Sequence, residues 1–132
     1  MKKHYILVVD DEKIVRDLVS LQLKLLGYHV LSATNAQQAI QIFANNKDEI
    51  DLVLTDIIMP EVNGLELANQ ILDVNKNTRI ILMSGNLDEN ISITKIGNGH
   101  LYFLEKPFYI SKLKTIVEKC MSAQQWLQPE VH

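Results

Sequence analysis

The stretch Asp51-Leu-Val-Leu-Thr-Asp56 is a short apolar run that ends in a carboxylate, and it decides the fold. An earlier run, Tyr5-Ile-Leu-Val-Val-Asp10, ends in the same way and is followed at once by a second acid, Asp11. Two later runs, Ile80-Ile-Leu-Met-Ser84 and Leu101-Tyr-Phe-Leu-Glu-Lys106, end in a hydroxyl and an ammonium group. Because ligands of open α/β sheets sit outside the carboxyl ends of the strands, these polar groups are expected to converge at one sheet edge.

Apolar strand-like runs alternate with helical patterns along the whole chain. The central strands Leu52–Thr55 and Arg79–Met83 are almost continuously apolar, which is typical of a parallel sheet covered by helices on both faces. Such alternation gives right-handed crossovers and predicts a doubly wound α/β domain. The remaining strands are predicted at Tyr5–Val9, Tyr28–Ser32 and Leu101–Leu104.

Five helices are predicted between and after these strands. In the first, the apolar residues Ile14, Leu18, Leu21 and Leu25 have the spacing of one helix face, and Gly27 is placed just beyond its end. The second starts near Thr34 or Asn35, both plausible N-caps, and the fourth, near Glu89–Ile96, has the poorest pattern in the chain. The residues predicted to be buried are Ala36, Ala39, Ile40 and Phe43 in the second helix, Leu65, Ala68 and Leu72 in the third, and Leu113, Ile116, Val117 and Cys120 in the fifth.

Composition fits one soluble domain. The chain has 132 residues and a net charge of −3, with no basic block that would suggest nucleic-acid binding by this domain itself. No apolar run approaches membrane-spanning length, and the single cysteine, Cys120, excludes an internal disulfide, so a cytoplasmic protein is expected. Residues 1–122 are assigned to the domain, and the polar residues 123–132 to a tail or the start of a linker.

The predicted cluster of polar groups suits a magnesium ion and a phosphoryl group. Mg²⁺ prefers oxygen ligands, which Asp10, Asp11 and Asp56 supply, and an aspartate can also attack phosphorus. The hydroxyl of Ser84 and the ammonium of Lys106 could each contact a phosphoryl oxygen. Each residue also has a simpler interpretation: Asp11 as a helix cap, Ser84 as part of a turn, and Lys106 as a solvated side chain.

The chain resembles a response-regulator receiver domain of two-component signalling over its full length. The resemblance rests on the stretches Val8-Val-Asp-Asp-Glu12, Asp56-Ile-Ile-Met-Pro60 with the later Gly64, Met83-Ser-Gly85 and Phe103-Leu-Glu-Lys-Pro-Phe108. It implies a flavodoxin-like (βα)5 fold with five parallel strands in the order 2-1-3-4-5.

The resemblance also implies a role for each site residue. Asp56 would be the phosphoacceptor, and Mg²⁺ would be held by Asp11, Asp56 and the backbone carbonyl of Ile58, with Asp10 acting through water. The other implied assignments are Ser84 as the switch hydroxyl, Lys106 as the phosphate-binding lysine, Phe103 as the switch aromatic, a cis bond before Pro107, and Ile58 and Asn86 as positions that tune dephosphorylation.

Four positions depart from the family pattern. Phe103 stands where many members have tyrosine, and Ser84 where threonine is commoner. His100 replaces a small residue and is more simply explained as an exposed loop residue than as a pH sensor. Tyr109 occupies the usual aspartate position before the last helix, which leaves Ser111 as the alternative cap.

The implied function is a switch rather than an enzyme. A histidine kinase or a histidine phosphotransfer protein would phosphorylate Asp56, and the face formed by helix four, strand five and helix five would then change shape for a protein partner. A homodimer through that face is also compatible with the resemblance. An aspartate-nucleophile phosphatase, a flavodoxin and a degenerate scaffold receiver are the rival classes, and the adjacent acids Asp10 and Asp11 disfavour the first two. The sequence leaves open a stand-alone receiver, a receiver cut from a longer regulator with a separate output domain, and, less favoured, part of a hybrid kinase.

Overall fold

A computed structural model of the chain describes residues 4–85 and 101–127, with side chains described as far as residue 122. Strands and helices alternate as the sequence predicts, and each strand boundary lies within two residues of its predicted position. The strands are β1 (Tyr5–Val9), β2 (His29–Ala33), β3 (Ile50–Asp56), β4 (Arg79–Ser84) and β5 (Leu101–Glu105). The helices are α1 (Lys13–Leu25), α2 (Ala36–Asn45), α3 (Gly64–Val74) and α4 (Ile110–Leu127). The predicted fourth helix lies outside the described residues, so α4 corresponds to the predicted fifth helix.

The five strands form one parallel sheet in the order β2-β1-β3-β4-β5, which confirms the predicted topology. The strand order reverses between β1 and β3, and open α/β sheets bind ligands outside the carboxyl ends of strands at such a point. Asp10 follows β1 directly and Asp56 is the last residue of β3, so both lie at this reversal. The topology therefore places the predicted acids next to each other.

Two apolar cores cover the two faces of the sheet. One lies under α2 and α3 and includes Phe43 and Leu67, while the other lies under α1 and α4 and includes Leu23 and Leu113. Strands β3 and β4 contribute to both cores, which is why their sequences are apolar at nearly every position. Cys120 is fully buried in the second core, as predicted.

Helix α1 differs from the expectation for an amphipathic helix. Its predicted apolar face, formed by Ile14, Leu18, Leu21 and Leu25, is exposed to solvent. The residues that pack on the sheet come from a second apolar face, in which Val19 and Leu23 are fully buried. The helix carries more apolar residues than its contact with the sheet can cover.

Two helix ends follow the predicted capping signals, whereas α4 already begins at Ile110, so the prediction of Ser111 as its cap is wrong. Gly27 has a φ of +99° just after α1, and its N–H and that of Tyr28 donate to carbonyls of the last helical turn. The side chain of Asn35 accepts a hydrogen bond from the N–H of Gln38 at the start of α2. Asn63 does the same for Glu66 at the start of α3, which fixes the loop between β3 and α3.

Candidate acidic site at the carboxyl edge of the sheet

Three carboxylates meet where β1 and β3 end. One oxygen from each of Asp10, Asp11 and Asp56 lies within 4.8 Å of the other two, a separation that a single cation can bridge. Asp10 is completely buried and Asp56 is 7 % exposed, whereas Asp11 is exposed. The cluster therefore has two buried acids and one acid open to solvent.

Asp10 is held in place from two sides. Its carboxylate oxygen Oδ1 accepts a hydrogen bond from the Glu12 N–H at 2.9 Å, and its carbonyl oxygen accepts one from the Arg16 guanidinium at 2.8 Å. Glu12, not Asp11, is the N-cap residue of α1, and no side chain caps this end. The capping interpretation of Asp11 is therefore wrong, and its carboxylate remains open to the cluster.

Lys106 supplies the positive charge of the site. Its Nζ lies 3.3 Å from Asp10 Oδ2 and 3.4 Å from Asp56 Oδ2, and its side chain is only 20 % exposed. Its backbone N–H donates to the Ser84 carbonyl at 2.8 Å, and the Lys106–Pro107 peptide bond is cis, as the resemblance implies. The interpretation of Lys106 as a merely solvated side chain is therefore wrong.

The Asp56 carboxyl has a raised pKa. Burial is the main cause, and the negative charges of Asp10 and Asp11 act in the same direction. Lys106 lowers the pKa through its charge and hydrogen bond but does not cancel the effect of burial. An added cation at the cluster would relieve this unfavourable burial of negative charge.

The backbone after Asp56 is fixed by a close contact with α3. A Cβ atom on Gly64 would lie 2.3 Å from the Asp56 carbonyl oxygen, so only glycine fits there without a shift of the backbone. The Gly64 N–H donates to the Ile57 carbonyl at 2.8 Å, and the Ile57 N–H donates to the Met83 carbonyl at 3.0 Å. The side chain of Ile58 is 66 % exposed beside these contacts, and the hydroxyl of Thr55 donates to the Asp56 carbonyl.

The residues predicted to complete the switch lie near the same edge. Ser84 ends β4 beside β3, and it is 5 % exposed. Phe103 packs against the α2–α3 core, whereas its neighbour Tyr102 packs against the α1–α4 core, so the two side chains lie on opposite faces of the sheet. Asn86 and His100 lie outside the described residues.

Two features of the site depend on contacts for which the sequence gives little signal. The sequence gives no signal for the hydrogen bond from Arg16 to the Asp10 carbonyl, because this bond depends on the direction in which the first turn of α1 leaves β1. The close approach of Gly64 to the Asp56 backbone is indicated in the sequence only by a glycine that directly follows a residue suited to cap a helix, Asn63.

Comparison with known proteins identifies the family. The family model described as the response regulator receiver domain matches residues 6–118. The DNA-binding transcriptional regulator NtrC of Azospirillum brasilense is 31% identical over 118 residues, which are 89% of this chain and 24% of that protein. The autoinducer 1 sensor kinase/phosphatase LuxN of Vibrio harveyi is 33% identical over 114 residues, 85% of this chain and 13% of that protein. The chain thus spans about a quarter or less of the length of these two curated relatives.

Solved structures agree in fold over nearly the whole chain. A receiver domain protein from Clostridium thermocellum superposes with a TM-score of 0.86 at 26% identity and covers 95% of this chain and 99% of its own. The response regulator protein TrrA from Thermotoga maritima has a TM-score of 0.78 at 33% identity and covers 91% and 99%. The chain therefore belongs to the response regulator receiver domain family of two-component systems.

Proposed function

We propose that the chain is a phosphoacceptor switch and that Asp56 receives the phosphoryl group. The observation that carries the proposal is the convergence of three carboxylates and the Lys106 ammonium at the reversal of strand order. Asp56 is the buried acid that ends β3 and contacts Lys106, whereas Asp10 is hydrogen-bonded to the backbone of Glu12. We therefore assign Asp56 as the nucleophile and Asp10 as a supporting acid.

The donor set fits Mg²⁺, which is the cofactor we assign to the site. Mg²⁺ takes oxygen ligands and uses one or two carboxylates together with waters and phosphate oxygens. Asp11 and Asp56 are assigned as direct ligands with the Ile58 carbonyl, and Asp10 as a ligand through water. When bound, Mg²⁺ supplies positive charge that offsets the acids and the charge on the phosphoryl oxygens. The related protein TrrA was solved in complex with Mg(2+)-BeF, which supports this assignment.

In the proposed reaction a carboxylate oxygen of Asp56 forms a bond to phosphorus while the bond from phosphorus to the donor nitrogen breaks. Lys106, already 3.4 Å from Asp56, pairs with a phosphoryl oxygen and offsets part of its charge. Asp10 is held by its hydrogen bond from Glu12 and would be the residue that contacts the metal through water. The rest of the catalysis is positioning, because phosphoryl transfer needs little further covalent chemistry from the protein.

Phosphorylation then acts on a two-state equilibrium. The Ser84 hydroxyl donates a hydrogen bond to a phosphoryl oxygen, and Lys106 stays paired with another phosphoryl oxygen. Phe103 then moves inward into the space that Ser84 leaves next to β4. The surface around β5 and α4 changes with these residues, and a downstream protein partner or an output domain of a longer protein reads the change. Ile58 and Asn86 tune the lifetime of the phosphorylated state.

The partners follow from the same chemistry. The donor is a sensor histidine kinase or a histidine phosphotransfer protein, and the only turnover expected of the domain itself is self-phosphorylation from small donors and its own dephosphorylation. A chemotaxis protein CheY from Borrelia burgdorferi was solved in a complex with CheX, which supports binding of a protein partner by this fold.

We assign a cytoplasmic location to this switch. In the described part of the chain, no helix is long and apolar enough to cross a membrane.

The test is the intact mass of the protein after incubation with acetyl phosphate, with Mg²⁺ or with EDTA. Wild type is expected to gain one phosphoryl mass only with Mg²⁺, and Asp56→Ala is expected to gain none. Asp73→Ala, which removes an exposed acid from α3, is the matched control and should be labelled like wild type. Labelling of Asp56→Ala at the wild-type level would overturn the assignment of the phosphoacceptor.

A further inference from the structure

Helix α1 carries an apolar stripe that faces solvent. Ile14, Leu18, Leu21 and Leu25 are 84 %, 53 %, 54 % and 71 % exposed, and all four lie on the same side of the helix. They make up half of the large apolar side chains that are exposed in the described part of the chain. A contiguous row of this kind marks an interaction surface, whereas single exposed apolar residues are ordinary.

The spacing of the stripe specifies the shape of its partner. Successive members are four, three and four residues apart, which is the alternation of a and d positions in a coiled-coil seam. A core-facing helix of a globular domain has a wider apolar face, and α1 already has one in Val15, Val19 and Leu23. The stripe is therefore a second, narrow seam that fits one further helix.

The charges beside the seam favour a second copy of this chain. With Leu18 and Leu25 at a positions, Asp17 and Lys24 both fall at g positions, on the same side of the stripe. In an antiparallel pair of helices, g positions face each other across the seam. A two-fold axis between Leu18 and Leu21 brings Asp17 opposite the partner's Lys24 and Lys24 opposite the partner's Asp17. Asp17 also pairs with Lys13 of its own helix, but its side chain is 58 % exposed and can accept a second cation. The face is complementary to itself, as an isologous interface requires.

We propose that two copies of the chain associate through antiparallel pairing of α1. Leu18 then packs on the partner's Leu21, and Ile14 packs on the partner's Leu25. From β5 to residue 122, the large apolar side chains that are exposed are Tyr109, just before α4, and Ile110. One helix per subunit is a small contact, so the dimer is weak and reversible.

Sedimentation velocity from micromolar to millimolar protein concentration tests the proposal. Wild type is expected to shift from monomer to dimer, and Leu18→Ser combined with Leu21→Ser is expected to stay monomeric. Val74→Ser, which removes an exposed apolar side chain from α3, is the matched control and should dimerise like wild type. A wild type that stays monomeric, or a dimer that survives the double serine variant, overturns the proposal.

Charge exchange separates a second copy from another helical partner. Asp17→Lys alone is expected to weaken dimerisation at least tenfold, because it sets lysines opposite each other in both pairs. Adding Lys24→Asp is expected to restore dimerisation, since both pairs are then opposite in sign again. Failure of the double exchange to restore the dimer overturns the two-fold arrangement. A monomeric wild type whose phosphotransfer from a histidine-phosphorylated donor depends on Leu18 and Leu21 would assign the stripe to that donor and overturn self-association.

Discussion

A side chain on Gly64 would place its Cβ 2.3 Å from the carbonyl oxygen of Asp56, closer than any two such atoms can approach. The first residue of α3 therefore has to be glycine for the end of β3 to keep its position. The same glycine donates its N–H to the Ile57 carbonyl, so the loop that follows Asp56 is fixed both by contact and by hydrogen bonding.

The Gly64→Ala variant is expected to lose both stability and phosphorylation. The nearest atoms are backbone atoms, which cannot rotate away as a side chain can, so the loop has to shift. We expect a loss of about 3 kcal/mol in the free energy of unfolding, at the upper end of the cost of overpacking. Urea unfolding and Mg²⁺-dependent labelling by acetyl phosphate measure the two effects.

Gly27→Ala is the matched control for that variant. Gly27 has a φ of +99° and no atom within 4 Å of an added Cβ, so alanine there strains the backbone without any clash. It is expected to lower stability by about 1 kcal/mol and to leave labelling unchanged. Equal labelling of Gly64→Ala and Gly27→Ala would contradict the positional role of Gly64.

Asp56→Asn is expected to stabilise the protein at neutral pH in the absence of divalent metal. Burial raises the pKa of Asp56 above its ordinary value of 3.8, so its ionised form is less favourable in the folded state. The protonated Asp56 carboxyl therefore makes its full contribution to stability below pH 3.8, and this contribution is lost as the pH rises through the pKa of the folded state. The gain at pH 7 should be about 1–2 kcal/mol, because Lys106 offsets part of the several kcal/mol that a buried ion costs.

Urea unfolding in EDTA as a function of pH checks this prediction. The difference between Asp56→Asn and wild type should be largest near pH 7 and should shrink as the pH falls toward 4. A variant that is less stable than wild type at pH 7 would contradict an unfavourable charge at Asp56.

The Cys120 thiol is expected to be inert in the folded protein. Burial raises its pKa to about 12, against a weaker opposite effect of Arg79 and Lys119, so the reactive thiolate is absent at pH 8. Alkylation by iodoacetamide, followed by intact mass, should be negligible in buffer and complete in denaturant. Rapid modification of the native protein would show that α4 opens to solvent readily.

Much of the fold could be predicted because strand ends carry their own signal. An apolar run that stops at an acid, such as the one before Asp56, marks both the strand and its functional end. The orientation of α1 could not be predicted in the same way, because the helix has two apolar faces. Periodicity identifies the row of Ile14 and Leu18 as readily as the row of Val19 and Leu23, and only the packing on the sheet decides between them.

Details of the site depend on how the elements pack and not only on residue type. The strand ends predict that Lys106 lies at the same sheet edge as Asp10 and Asp56, but its distances of 3.3 and 3.4 Å from them depend on how β5 packs two strands from β3. The contact of Arg16 with the Asp10 carbonyl depends on the angle at which α1 leaves β1. Such contacts follow from packing, so residue type and spacing alone could not predict them.

Lys106→Met is expected to destabilise the metal-free protein and to strengthen its response to Mg²⁺. Methionine keeps most of the apolar stem but removes the charge that lies within 3.4 Å of both Asp10 and Asp56. The two buried carboxylates then lose the ammonium group that contacts them both, and we expect a loss of about 2 kcal/mol, because the lysine is partly exposed. Thermal unfolding should show a larger rise in Tm on addition of Mg²⁺ than in wild type, because the ion now relieves more repulsion.

Lys112→Met, at an exposed position of α4, is the control and should behave like wild type. If Lys106→Met and Lys112→Met have equal stability in EDTA and equal shifts with Mg²⁺, then Lys106 does not stabilise the acidic cluster.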